Sequence, residues 1–473
     1  MNFNAIINLG VVGAGLLLGA LLRAKVKLLQ RYLIPSAIIG GFFLLFFYNF
    51  AAPRIGLEAD FLGDLVYHLL NISFIAMALR NPAEDRPKDG SARRSFIQNV
   101  IAIFGQYGLQ CFFGLLATLV MMKTFIPDLF PAIGLTLPLG FELGPGQAYS
   151  ITLPWEALGF EGGTSVGLAM AAAGFITGSI GGVILINLGV KRGWVPASDV
   201  EKLNQRRLFS GFLKKGETRE GSRLTSDGES IDTLSYHVAL IMVSYLLSWA
   251  MLAIIEKLLG FLGGIGAEIS STLWGVNFIF SMFSAAIVRQ IIKRTKIDYT
   301  IDNGTLNRIN GLSVDLTVAA CLGAISLTAL SAYYIPVIIL IVVGILITCF
   351  VLPWYSSRIY SDHQFYRMLV LFGTATGTLP TGLSLLRVVD PDFETPAARD
   401  YAYASGMVFV FVFPLILFVN LPAYSYSQNN PALFFTMLGI TLIYSVIFAI
   451  AYKIAAGKKA FRKLGTFWYK EDK

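Results

Sequence analysis

Two stretches of this chain place glycine, proline and hydroxyl residues where an apolar sequence would otherwise run on as helix. In residues 134–160 the interruptions are Pro138, Gly140, Gly144, Pro145, Gly146 and Pro154. In residues 367–393 they are Gly373, Gly377, Pro380 and Gly382, accompanied by Thr374, Thr376, Thr378, Thr381 and Ser384. Backbone N–H and C=O groups freed by such breaks are costly in hydrocarbon, so irregular backbone survives there only where protein buries it or it lines a wet cavity. Each stretch is expected to be a re-entrant hairpin on an aqueous pathway. The chemistry open to such a tip is ion binding. Helix N-termini direct free amides and partial positive charge at a carboxylate, while bared carbonyls and short hydroxyls suit a hard cation such as sodium. For any single glycine, tight helix packing is the competing explanation.

Charged and amide residues near these breaks extend the set. Arg387, in TGLSLLR, is either a fork for a substrate carboxylate or an interfacial cation paired with Asp390 or Asp392. Glu142 and Glu156 are expected at the outer mouth or in local pairs rather than on sodium. Asp315, in GLSVDLTVAA, is an intramembrane acid and so a candidate for the coupling ion. Asn71, Gln106, Gln110, Asn187 and Asn420 are cavity ligands or amides bonded between helices. His68, His237 and His363 are scattered, and neither HExxH nor GxSxG is present, so the chain is not expected to be an enzyme. Cys111, Cys321 and Cys349 have no metal or redox spacing, and no cofactor is expected.

The elements that must hold these residues are membrane helices. The chain has 473 residues, of which 55% are hydrophobic and only 14% charged, far too apolar for a soluble protein. A length rule of roughly 20 apolar residues gives about 11 spans, near 3–22, 33–52, 65–80, 96–122, 164–190, 236–258, 271–289, 308–330, 335–352, 401–420 and 433–456. The net charge of +8 comes from short basic clusters between spans, as the positive-inside rule requires, and not from a nucleic-acid-binding face. The first span lacks a basic leader and a small-residue cleavage site and is expected to be retained. Arg23, Lys25, Lys27 and Arg31 follow span one, Arg80 to Arg94 carry five cations after span three, and Arg358 with Arg367 follow span nine. These clusters place the N-terminus outside and the C-terminus in the cytoplasm of a bacterial inner membrane.

The polar stretch 193–234 reads as a cytoplasmic linker without a fold of its own. It separates a first transmembrane repeat, 1–192, from a second, 235–422, with 423–473 as an extra C-terminal helix and basic tail. Shifting the chain by 233 residues carries Gly144 onto Gly377, Leu153 onto Leu386, Phe160 onto Phe393 and Glu161 onto Glu394. Five spans precede the linker, so the second repeat is inverted. The expected fold class is an all-α polytopic membrane protein of two inverted five-helix repeats, each with a re-entrant hairpin, the plan of many secondary transporters.

At these residues the chain resembles the bacterial glutamate:sodium symporter family. The features that carry the resemblance are the first hairpin with GFEGGTSVGLAMAAAGFITGSIGGVILINLG after it, and GTATGTLPTGLSLLRVVDP in the second. In the first loop GPGQ, Gly144 to Gln147, stands where family members carry a double glycine followed by HGT. The resemblance implies sodium-coupled symport of glutamate or a related small carboxylate, a homodimer in the bilayer, and Gly144, Gly146, Gly377 and Thr378 at the loop tips. With the residues above, the expected substrate set is Gly144, Gly146, Gln147, Thr378, Thr381 and Arg387. The expected ion set is Thr374, Thr376, Gly377, Asp315, Asn187 and Asn420. A proton-coupled carrier of another organic anion and a channel are the alternatives.

Overall fold

A computed structural model of the protein describes residues 3–81, 90–195, 212, 216–218, 220–390 and 394–469. Among these residues the chain is helical, with no strand. Eight helices are long and apolar enough to cross a membrane, and two bent pairs raise the number to ten. The bent pairs are Ile269–Gly275 with Asn277–Arg294, at 67°, and Ala397–Val408 with Phe411–Ser427, at 46°. The span expected at 65–80 is a full 20 residues, Asp60–Leu79. The span expected at 308–330 is instead helix Asn303–Ala324, which falls short of the apolarity of the others. The stretch 303–315 carries Asn303, Asn307, Arg308, Asn310 and Asp315, and only the stretch that follows, from Thr317 to Gly323, is buried throughout.

The helices sort into two groups, each drawing on both halves of the chain. Asn4–Lys25, Ser36–Phe46 and Asp60–Leu79 pack with Thr233–Leu259, Asn277–Arg294 and Asn303–Ala324. Gly90–Thr124 packs instead with Tyr334–Leu346, Ala397–Leu417 and Pro431–Ala456, and Gly163–Lys191 lies among them with both interrupted segments. Separate apolar cores follow: Val12, Leu44, Leu62 and Leu322 fill the first group, and Tyr107, Leu139, Trp155, Leu369 and Ile416 the second. Leu168, Ala172 and Phe175 of the 163–191 helix belong to the core of the first group, so that helix is part of the seam between the two.

Polar ties fix the region around residues 354–367 in the second group. Arg367, expected in a basic loop, is instead buried in helix Gln364–Thr374, where it bonds Asp400 and Asp362 at 3.0 Å each and Ser95 at 3.1 Å. A guanidinium inside a bundle is held by anions rather than by water, which is why it leaves the surface. Arg358, the other cation expected in that loop, is buried beneath the C-terminal tail and donates to the carbonyl oxygens of Lys463, at 2.9 Å, and Thr466, at 3.0 Å. Trp194 stacks on Trp468 of the same tail at 4.8 Å. The described end of the linker is tied too, since Asp302 caps helix 303–324 and accepts from the Arg223 amide. Burial alone would raise the Asp302 carboxyl, but hydrogen bonds from Thr305, Arg223 and Gly304 prevail and hold it below its ordinary value.

Breaking the buried ion pair tests this packing. Arg367→Ala strands Asp400 and is expected to cost about 3–5 kcal/mol, seen as a lowered melting temperature in detergent. The double variant Arg367→Met with Asp400→Leu should recover most of the loss, because both charges leave together. Equal melting of the single variant and the parent would show that the pair contributes nothing.

Candidate functional site

The first interrupted segment breaks at a single residue. Pro131–Leu143 ends in a π turn, and helix Pro145–Ala157 starts immediately after Gly144. Gly144 sits at φ +92° and ψ −177°, a conformation open essentially to glycine alone. In the second segment, helices Gln364–Thr374 and Leu379–Val389 are joined through Ala375–Thr378. Each returning helix has a proline in its first turn, Pro145 or Pro380, where a missing N–H goes unnoticed. Neither has a side-chain cap, so both present free amides and the positive end of the helix dipole at the break.

The two breaks meet. A Cβ on Gly144 would lie 3.5 Å from the Gly377 carbonyl oxygen and from Cγ2 of Thr378. The 163–191 helix closes one side of this meeting point with small residues. A Cβ on Gly174 would come within 2.8 Å of the Thr376 carbonyl oxygen, and one on Gly178 within 2.6 Å of Thr376 Oγ1. On the other side, Gln110 Nε2 donates to the Ala375 carbonyl at 3.4 Å. Carbonyl ends of the entering helices and amide ends of the returning helices therefore share one location. Such a place can satisfy an anion and a cation together.

The expected residues divide in this geometry. Gly144, Thr376, Gly377 and Thr378 lie at the joined tips, and Thr381 and Thr374 line the adjoining turns, with Thr378 and Thr381 hydroxyls 3.5 Å apart. Gly146 and Gln147 are in the first turn of the returning helix, where Gly146 packs on Leu70 of the 60–79 helix. Arg387 is in the last turn of helix 379–389, exposed, at the end away from the tip. Asp390 is engaged elsewhere, accepting from Glu394 N at 2.8 Å and from Thr395 N at 2.9 Å, and Asp392 lies outside the described residues. Asp315 and Asn187 are exposed on their helices. Asn420 is buried as an amide bonded between helices, accepting from Trp155 Nε1 at 2.6 Å and donating to Thr272 Oγ1 at 3.0 Å. Glu156 bonds locally to Thr164 N and Oγ1. Glu142 departs from expectation: it is buried, two residues before Gly144, and forms no ion pair among the described residues.

The profile of the sodium/glutamate symporter family matches residues 1–357. The chain belongs to that family. As a sodium/glutamate symporter it is a multi-pass membrane carrier of glutamate coupled to sodium, and a symporter is not an enzyme class. No curated protein and no solved structure matches the chain. The family match takes in the whole first interrupted segment and stops at Ser357, before the second. The second tip thus stands on the geometry of this symporter itself.

Gly174 and Gly178 are the neighbours of the tips that sequence reasoning passed over as site residues, whereas Gln110 was already among the amides considered as cavity ligands. The signal for the first two was present in AMAAAGFITGSIGG, where small residues recur at helical spacing through Ala171, Gly174, Gly178 and Gly182. In this symporter Gly144→Ala should impose about 1–3 kcal/mol of backbone strain at the tip and raise KM for glutamate about tenfold. Gly178→Ala should act the same way by displacing Thr376, whereas Gly10→Ala, with nothing within 4 Å, should change nothing. Uptake kinetics in membrane vesicles read all three; identical KM values would detach the tips from substrate.

Proposed function

We propose that the symporter holds glutamate, or a related small carboxylate, between the two hairpin tips and releases it by alternating access. The observation that carries this reading is the approach of Gly144 to Gly377 and Thr378, which brings two uncapped helix N-termini to one point. Free amides there are suited to the carboxylate, and the carbonyl oxygens of Thr376 and Gly377, with the Thr378 hydroxyl, to sodium. Bound sodium offsets the charge of the anion and so raises its affinity, which is the coupling. Arg387, exposed at the far end of its helix, is read as an interfacial cation, and Asp315, Asn187 and Asn420 as supporting rather than ligating residues.

In this reading the group that carries both hairpins moves against the other. The order of elements in the two halves, each with a broken segment before its last long helix, supports an inverted duplication with one added helix, 431–456. The seam supports a reversible contact. A Cβ on Gly275 would lie 2.9 Å from the Ser150 carbonyl oxygen, the Trp155–Asn420–Thr272 chain crosses the seam, and a crevice of ≈ 340 Å³ lies beside it between Tyr67, Tyr149 and Trp274. The basic loops support a cytoplasmic C-terminus in a bacterial inner membrane, and the family resemblance a homodimer.

Uptake of labelled glutamate into proteoliposomes tests the reading. An inward sodium gradient is expected to drive accumulation and a potassium gradient none. Arg387→Ala should keep its KM, while Gly377→Val, which drives a side chain into Phe175, should abolish uptake. Loss of uptake in Arg387→Ala together with normal uptake in Gly377→Val would move the anion site away from the tips.

A further inference from the structure

Helix 90–124 carries a line of buried polar side chains that a lipid-facing or purely packed helix has no use for. Ser95, Gln98, Asn99, Gln106 and Gln110 are each no more than 3% exposed and recur at intervals that keep them on one side of the helix. The stripe covers about 22 Å at 1.5 Å per residue. At one end Ser95 meets Arg367 and Asp362, and Asp362 is 41% exposed to solvent. Tyr360 OH then donates to Asn99 Oδ1 at 3.0 Å, and Tyr355 OH to Gln106 Oε1 at 3.3 Å. At the other end Gln110 reaches the tip carbonyl of Ala375.

Many polar atoms of this stripe have no hydrogen-bond partner in the protein. They are Gln98 Nε2, Asn99 Nδ2, Gln106 Nε2 and Gln110 Oε1, and beside the tip Glu142 Oε2. One orphan is tolerable, but a row of them at the cost of about 1–3 kcal/mol each is not, and buried polar groups so arranged are satisfied by water. Waters bridging these atoms would make the stripe a hydrated path. Glu142 stands at its inner end, and the titratable groups facing it are Tyr107 and Cys111 of helix 90–124, Tyr355 and Tyr401. None of these is a cation. A carboxylate enclosed in this way is stable only when a positive charge joins it.

We propose that Glu142 exchanges a proton during the transport cycle and that the polar stripe of helix 90–124 conducts that proton to the side on which Asp362 lies. Sodium and glutamate load at the tips while the Glu142 carboxylate takes one proton from the same solution and becomes the neutral acid. After the tips open to the other side, the acid releases that proton through the hydroxyls and waters of the stripe and returns to the carboxylate. One proton enters and one leaves, with no other bond made or broken. The inference rests on the transport reading above and adds a second coupling ion to sodium.

The test uses the full chain in proteoliposomes loaded with a pH-sensitive dye, the membrane potential clamped with potassium and valinomycin, and labelled glutamate counted in parallel. Glutamate added with an inward sodium gradient is expected to acidify the lumen in proportion to uptake, more than in protein-free vesicles. Glu142→Gln should lose the acidification and the dependence of uptake on external pH. Gln106→Leu, which leaves Glu142 in place and puts an apolar side chain in the stripe, should slow uptake and acidification together at an unchanged ratio. Uptake in the parent without acidification overturns the proton role and leaves the transport reading intact; no uptake at all overturns both. Acidification in Glu142→Gln equal to the parent also overturns the assignment. If that variant fails to fold, the parent and Gln106→Leu decide the matter.

Discussion

Peptide groups that leave helical geometry inside a bilayer must find partners within the protein, and this constraint governs the whole molecule. Two segments of the chain break their helices, at Gly144 and between Ala375 and Thr378. Helices 90–124 and 163–191 surround these breaks: Gln110 bonds the carbonyl of Ala375, and the glycines at 174 and 178 let the backbone of Thr376 lie directly on the neighbouring helix. The same enclosure concentrates helix ends at one point. Dipole ends and free amides that would be a liability elsewhere are, in the proposed reading, what the two facing tips offer to substrate and sodium.

The division into two helix groups follows from that enclosure. A group built around the breaks has to be well packed and polar inside, and its interior holds Arg367 with Asp400 and the amides of helix 90–124. The remaining helices carry a conventional apolar core around Leu44, Leu62 and Leu322 and meet the group that holds the breaks along the 163–191 helix and the returning helix 145–157. A seam crossed by few polar ties, among them Asn420 with Thr272, fits a structure whose halves exchange positions.

Much of this was legible in the sequence because glycine and proline in an apolar run have few meanings. Both interrupted segments were placed within a few residues, and ten of the expected spans correspond to single or bent apolar helices. The exception, helix 303–324, has its charged and amide residues gathered in the stretch 303–315, which a length rule does not resolve. Residue roles were harder to read wherever they depend on distant partners. Arg367 looked like a loop cation since Asp400 is 33 residues away, and Asn420 looked like an ion ligand because nothing local announces Trp155, 265 residues distant. Glu142 was expected at the outer mouth or in a local pair; proximity to a glycine-proline break shows that a residue is near a tip but not which way it faces. Arg387 was open to two roles, substrate fork or interfacial cation, and it lies exposed in the last turn of its helix, away from the tip.

The central claim is that the joined tips bind substrate and sodium together. The most direct measurement replaces Cys111, Cys321 and Cys349, introduces Thr378→Cys, and follows the rate of thiol modification by a membrane-impermeant reagent. Slower modification with sodium and glutamate together than with either alone is the predicted result. A rate unchanged by both, in a variant that still transports, would contradict the account and place the site elsewhere.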